Sequence, residues 1–184
     1  MSYYEDFMPE RKTEKLPDSY NIAVRIATPE DAQAIAVIVA EREGKDPAEI
    51  ILKLNNELKR ISTGNNTVIF VAEYEGKVVG YGRVKYFIPP EALPENIAPE
   101  GWYLLGLIIA PGYRRQGIGR RLTQERIDYL KNKTDKIYYF VNKRNTVSIE
   151  MHKEFNFTEI TRDFVFPGAI DKTGEGILFI LEST

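Results

Sequence analysis

LLGLIIAPGYRRQGIGRRLTQERIDYL, residues 104–130, is the stretch on which the reading of this chain turns. Leu104 to Ile109 is an apolar run of strand length, broken only by Gly106. Ala110 to Gln116 is a turn that holds Pro111, Gly112, Arg114 and Arg115. From Gly117 onward the spacing predicts a helix, because Ile118, Leu122 and Tyr129 fall within about 40° of one another at ~100° per residue. A buried strand therefore feeds a basic, glycine-bearing loop that opens a helix. Such a helix start aims backbone N–H groups and the positive end of the helix dipole at one spot, which suits a phosphate or pyrophosphate. Gly117 and Gly119 lack a Cβ, so a ligand can come close to the backbone. Arg114, Arg115, Arg120 and Arg121 gather charge at the same end. The simplest alternative is a surface turn ahead of an ordinary amphipathic helix. Cations at a helix start oppose its dipole, however, so four arginines there call for another reason.

Two nucleotide-binding loops fail on spacing. A dinucleotide fingerprint built on Gly117-Ile118-Gly119 needs a third glycine where Leu122 stands, and its first glycine should follow the strand directly. A phosphate loop of the Gly-Lys-Ser/Thr kind is not present. What the stretch does contain is Arg-x-x-Gly-x-Gly, Arg114 to Gly119, behind a strand and a proline.

With 184 residues the chain has one domain's worth of length and enough to bury a real core. Its 43% apolar and 28% charged residues are ordinary for a soluble globular protein. A net charge of −2 argues against a nucleic-acid surface, so the basic cluster at Arg114–Arg121 is local. The absence of cysteine excludes disulfides, thiolate metal sites and a cysteine nucleophile, and fits a reducing, cytoplasmic compartment. With His152 as the single histidine, no poly-histidine metal site can form, and no bound metal is expected. No apolar run reaches ~18 residues, so no membrane partner is expected. The first residues lack the apolar core of a signal peptide.

Residues 1–20 are polar, without period, and read as an N-terminal extension to a domain at 21–184. Asn21 to Ala27 alternates as a first strand. Thr28-Pro29-Glu30-Asp31 is a helix start, with a capping threonine, a proline in the first turn and acids that match the dipole. Ala32, Ile35, Ala36 and Val39 form that helix's buried stripe. A second helix follows, with Ile51, Leu54, Leu58 and Ile61 on one face, ending near Gly64. Thr67–Tyr74 and Lys77–Ile88 read as a strand pair around Glu75-Gly76. The loop from Pro89 to Gly101 carries Pro89, Pro90, Pro94 and Pro99 with Glu91, Glu95 and Glu100, and is long enough to suggest a lid. Beyond the central strand and helix come a strand at Lys136–Val141, a helix at Asn145–Phe155, and strands at Thr158–Phe166 and Ile177–Leu181. The order β-α-α-β-β-β-α-β-α-β-β, without repeats or linker, predicts one α+β domain around a mixed sheet.

A second motif starts at Asn142, NKRNTVSIEMHKEFNF. Together with Arg114–Gly119 it resembles the GNAT superfamily of N-acetyltransferases. Members typically show Asn-x-x-Ala-Ile-x-Leu-Tyr-x-x-x-Gly-Phe after the fifth strand. Here Asn145 takes the asparagine place, Ser148-Ile149 the small-apolar pair, Met151 the leucine and His152 the tyrosine. Asn156 stands for the glycine and Phe157 for the phenylalanine. The resemblance covers roughly residues 22–165 and extends, through GWYLLGLIIAP, the proline loop and TRDFVFPG, to members of the aminoglycoside 6′-acetyltransferase kind. It implies a mixed, mostly antiparallel sheet of about six to seven strands flanked by about four helices. Asn156 tolerates left-handed backbone well, so the helix stop survives its departure from glycine.

The resemblance implies acetyl-CoA as cosubstrate and direct attack of an amine on its thioester. Leu107, Ile108 and Ile109 would pair with the pantetheine arm. Arg114, Arg115, Gln116, Gly117, Ile118, Gly119 and Arg120 would hold the pyrophosphate, with Asn145 and Ser148 also against the cofactor. His152 stands where the family's tyrosine protonates the departing thiolate; an ordinary histidine, with a pKa of ~6.5, can do this near neutral pH. It can equally pack against its helix and hydrogen-bond locally. Where the family has a strand-borne carboxylate base, this strand has Tyr103 and Leu105. Tyr103, a relayed water, or Glu91, Glu95 or Glu100 remain as bases. The expected acceptor is a small-molecule amine, with a homodimer left open. Two other readings stand beside it: a non-catalytic acyl-CoA-binding module, and a protein N-terminal or lysine acetyltransferase.

Overall fold

The computed structural model describes residues 21–61, 66–91, 95–170 and 174–182 of the chain. The expected extension at residues 1–20 lies outside them. The elements are β1 (Ile22–Ile26), a 3-10 turn (Pro29–Asp31), α1 (Ala32–Glu43), α2 (Pro47–Ile61), β2 (Thr67–Tyr74), β3 (Lys77–Phe87) and β4 (Gly101–Ile109). A second 3-10 turn (Pro111–Tyr113) leads to α3 (Ile118–Leu130), β5 (Lys136–Asn142), α4 (Thr146–Lys153), β6 (Thr158–Thr161) and β7 (Gly176–Glu182). Seven strands are hydrogen-bonded in the order β1-β2-β3-β4-β5-β7-β6. β4 and β5 run parallel, while β1 with β2, β5 with β7, and β6 with β7 run antiparallel. This is the mixed α+β sheet with helices that the element order predicts.

One expected strand is shorter than its pattern. β6 stops at Thr161 instead of reaching Phe166. The ladder slips between Glu159 and Thr161, and the Asp163 amide then donates to the Thr161 hydroxyl at 2.9 Å. That side-chain turn diverts the backbone from the sheet. Val165 and Phe166 make only isolated bridges.

The chain forms two compact units. One holds residues 21–84 and Gly106–Arg126. Its core joins Ile35, Ala36 and Val39 of α1 and Leu54 and Leu58 of α2 to Ile69 and Val71 of β2, Tyr81 of β3 and Ile108 of β4. The expected α1 stripe is buried throughout. On α2, Ile50 is buried and Ile51 only packs at the margin of the cluster; the expectation for Ile61 falls outside the described side chains. Burying each such aliphatic side chain contributes roughly 1.5–3 kcal/mol. The other unit, Lys85–Leu105 with residues 127–182, is built on rings. Tyr103 stacks on Tyr138 at 5.2 Å, and Phe166 lies 4.5 Å from Phe87 and 4.6 Å from Phe140.

The 3-10 turn that leads into α1 is held by Asp31. Its carboxylate takes Arg25 Nη1 at 2.7 Å, Arg25 Nη2 at 2.9 Å and the Thr28 amide at 2.8 Å. Burial of Asp31 pushes its pKa up, but the Arg25 and Thr28 hydrogen bonds outweigh it and hold the carboxyl below its usual value. A depressed folded pKa stabilises the fold above the unfolded carboxylate value of ~3.9, and the contribution disappears as pH falls through the folded pKa. Because Arg25 is 40% exposed, the ion pair itself is largely screened. Asp31→Ala should therefore cost about 1–2 kcal/mol, mostly through the lost capping-box bond to the Thr28 amide, and lower Tm by about 2–8 °C at pH 7. The gap between variant and wild type should close in acid, as pH falls through the depressed folded pKa of Asp31.

Candidate active site

Three places carry unusual backbone or buried polar chemistry. The first is the mouth of α3. Arg114 Nε donates to the Ile109 carbonyl at 3.0 Å, so one expected ligand-binding arginine also pins the loop to the end of β4. The Tyr113 amide closes the 3-10 turn on the Ala110 carbonyl at 2.9 Å. Arg115 then sits at φ 61° and Gly117 at φ 76°. Left-handed backbone is routine for glycine but costs a side-chain-bearing residue roughly 1–2 kcal/mol. Arg115 is exposed, so no packing contact of a buried side chain accounts for this conformation. The helix begins with the Arg121 amide on the Gly117 carbonyl at 3.0 Å. By helix geometry the amides ahead of it, on Ile118, Gly119 and Arg120, point out of the mouth. Ile118 and Leu122 are buried and anchor the helix, while Gly119 is half-buried and Arg120 and Arg121 are exposed. On the strand before it, Ile108 is buried and Leu107 and Ile109 half-buried. β4 pairs with β5 only at Trp102–Ile137 and Tyr103–Tyr138, so that ladder ends at Tyr103.

The second is α4. The Asn145 side chain caps it, accepting the Ser148 amide at 3.2 Å. His152 is buried, its ring stacked on Tyr139 at 3.8 Å and edge-on to Phe157 at 5.5 Å. Nδ1 lies 2.8 Å from the Ser148 carbonyl and 3.3 Å from the Ser148 hydroxyl. A carbonyl can only accept, so the contact with the Ser148 carbonyl is a hydrogen bond only with a proton on Nδ1. The ring is therefore packed on both sides and bonded to its own helix. Asn156 ends the helix region at φ 65°, the left-handed conformation expected of it.

The third was not singled out in the sequence. Gly106 has φ 58° in the middle of β4, the signature of a bulge or a close approach. Arg83 of β3 faces it: a Cβ at Gly106 would stand 3.1 Å from Arg83 Nε and 3.5 Å from Nη2. Arg83 Nη1 meets Glu57 of α2 at 3.2 Å. The lone glycine in an apolar run was the one available signal; nothing local tied it to residues on β3 and α2.

The model of the acetyltransferase (GNAT) family matches residues 3–157. The chain belongs to the GNAT acetyltransferase family. Solved structures agree on the fold. A PaiA N-acetyltransferase from Thermoplasma acidophilum, in complex with coenzyme A, is 17% identical with a TM-score of 0.63, over 89% of this chain and 99% of that one. An N-acetyltransferase from Staphylococcus aureus Mu50 is 22% identical with a TM-score of 0.63, over 88% and 98%. A ribosomal-protein-alanine N-acetyltransferase from Brucella melitensis is 23% identical with a TM-score of 0.63, over 88% and 99%. No curated protein matches the chain. Among the described residues, no helix is long and apolar enough to cross a membrane.

Within this GNAT chain the residues expected to act fare differently. Tyr103 is fully buried and donates its hydroxyl to the Pro99 carbonyl at 2.7 Å. Burial, with Tyr138 beside it, pushes the phenol pKa well above its usual value. A sealed, engaged phenol that resists ionisation is a packing group, which disfavours it as a base. Tyr103→Phe should leave kcat and KM within about twofold and cost about 1–2 kcal/mol through the orphaned Pro99 carbonyl, as read by paired steady-state and melting experiments. Of the loop acids, Glu100 accepts the Tyr86 hydroxyl at 2.8 Å, and Glu91 and Glu95 are exposed.

Proposed function

We propose that this GNAT acetyltransferase is a cytoplasmic enzyme that moves an acetyl group from acetyl-CoA to a primary amine of a small molecule. The observation that supports this most is the mouth of α3. Outward amides, a first turn opened by Gly119 and a strained Arg115 fit a diphosphate, with Arg114 and Arg120 at its sides. Bound acetyl-CoA supplies an activated acetyl thioester. In this reading the β4 backbone at Leu107–Ile109 holds the carrier's amide-bearing arm, and Gln116, Asn145 and Ser148 support the carrier's outline. The neutral amine attacks the thioester carbon, the C–N bond forms and the C–S bond breaks. His152 gives its Nε2 proton to the departing sulfur, and the amine's proton leaves to water. With Tyr103 engaged elsewhere, a relayed water is the base this reading favours.

Calorimetric titration with acetyl-CoA followed by thiol release over a panel of amines tests it. Binding with turnover on small amines is the expected result. Binding without turnover on any amine would make the chain a carrier-binding module. Turnover confined to peptides would make it a protein acetyltransferase.

A further inference from the structure

Arg126 of α3 is the largest fully buried side chain among the described residues, at 1% exposure. Its surroundings are built for a cation. On α3 itself, Nε donates to the Leu122 carbonyl at 3.1 Å and Nη2 to the Thr123 hydroxyl at 3.0 Å. Thr123 is fully buried as well. From β3 the Arg83 carbonyl accepts Nη1 at 3.4 Å. A Cβ at Gly82 would stand 3.1 Å from Cζ and from Nη1 and 3.2 Å from Nε. Those near-equal distances lay the flat face of the guanidinium on Gly82, where only a glycine leaves room. The partners four and three residues earlier in the helix turn the side chain toward the start of α3. Its charge therefore sits beside Leu122 and Thr123, about 6 Å of helix rise behind Ile118. Burial pushes the guanidinium pKa down to about 9, which leaves it charged at neutral pH. Taking a cation out of water is costly, and an apolar side chain of like volume often fills such a place as well or better. Packing alone does not account for an arginine here.

Resting on the acetyltransferase reading above, we propose that Arg126 is a positioning residue for the carrier's diphosphate, a cation that backs the α3 mouth from inside the protein. Arg115 and Arg120 are exposed at that mouth, so salt screens what they contribute. Arg126 is sealed from solvent ions and acts through its field. Unit charges about 10 Å apart, at an effective dielectric constant of ~20, still shift an equilibrium about tenfold. Arg126 touches neither the carrier nor the reacting atoms. Gly82 and Thr123 belong to the same device, since one makes room for the guanidinium and the other holds it.

The test uses the full chain and two donors with the same thioester. Acetyl-CoA carries the diphosphate, and S-acetylpantetheine does not. Arg126→Met removes the charge and keeps most of the bulk. It should raise the acetyl-CoA Kd about tenfold in calorimetry and lower kcat/KM for acetyl-CoA by a like factor. On the same amine, kcat/KM for S-acetylpantetheine should stay within about twofold of wild type. The calorimetric loss should persist at about 0.5 M salt, whereas that of Arg120→Gln should shrink toward none. Arg126→Gln keeps a donor for the Thr123 hydroxyl, serves if the methionine variant does not fold, and should show the same split between donors. An equal loss on both donors would make Arg126 a structural brace and overturn the proposal. An unchanged acetyl-CoA Kd in a folded variant would overturn it too, as would loss of the fold in both variants. Failure of wild type to bind acetyl-CoA at all would overturn this proposal together with the reading beneath it.

Discussion

Gly119→Glu should abolish productive acetyl-CoA binding while leaving the fold as stable as before or more so. The two effects part because the same side chain acts on two partners. Replacing a first-turn glycine by glutamate gains up to ~1 kcal/mol of helix propensity, and a carboxylate at the positive helix end gains a further ~0.3–1 kcal/mol. Tm should therefore hold or rise. Against a diphosphate the same carboxylate is a like charge at close range, worth about 4 kcal/mol at ~4 Å and an effective dielectric constant of ~20. Its side chain also adds bulk at a position where glycine has none. The acetyl-CoA Kd should rise by about two to three orders of magnitude, measured by calorimetry beside a thermal melt. Gly119→Ala separates bulk from charge and should cost the smaller share. A Gly119→Glu protein that binds acetyl-CoA like wild type would remove the α3 mouth as the carrier's site.

His152→Phe is expected to slow turnover at least tenfold, and up to the ~10²–10⁴-fold range of general acid catalysis, with little change in acetyl-CoA affinity. The structure makes this a clean substitution. A phenyl ring preserves the stack on Tyr139 and the edge contact with Phe157. What it loses is the Nδ1 bond to the Ser148 carbonyl, which sits within the helix ladder in any case, and the Nε2 that the proposed mechanism makes the proton donor. If Nε2 supplies the proton, the wild-type rate should fall on the alkaline side as the ring loses its charge, and the variant should lack that limb. Equal kcat for the two proteins would leave His152 as a packing residue alone.

Much of this could be read locally. The α3 mouth lies in seventeen consecutive positions at most, from Leu104 to Arg120, and each of its signals is a property of a residue or its near neighbours. The period of Ile118 and Leu122 predicts the buried helix face. Asn156 predicts a left-handed stop, and φ 65° is what it adopts. The capping acids after Thr28 predict the start of α1, although Asp31 reaches further than its cap, to Arg25 across the β1–α1 connection. Alternation alone carries the strand at Thr158 through Phe166, whereas Thr161 and Asp163 turn the backbone away.

The sequence by itself determined the element order, the glycine-bearing start of α3 and the family, because helix mouths, caps and left-handed stops are made by backbone within a few residues. Only the tertiary structure decided which polar side chains are engaged. Tyr103 became a core phenol because Tyr138 and Phe166 close over it, and its hydroxyl found Pro99. Arg83 and Glu57, 26 residues apart, met because packed leucines on α2 and the alternation of β3 turn them toward each other. Side chains far apart in the chain acquire partners through packing and register, and no local pattern encodes either.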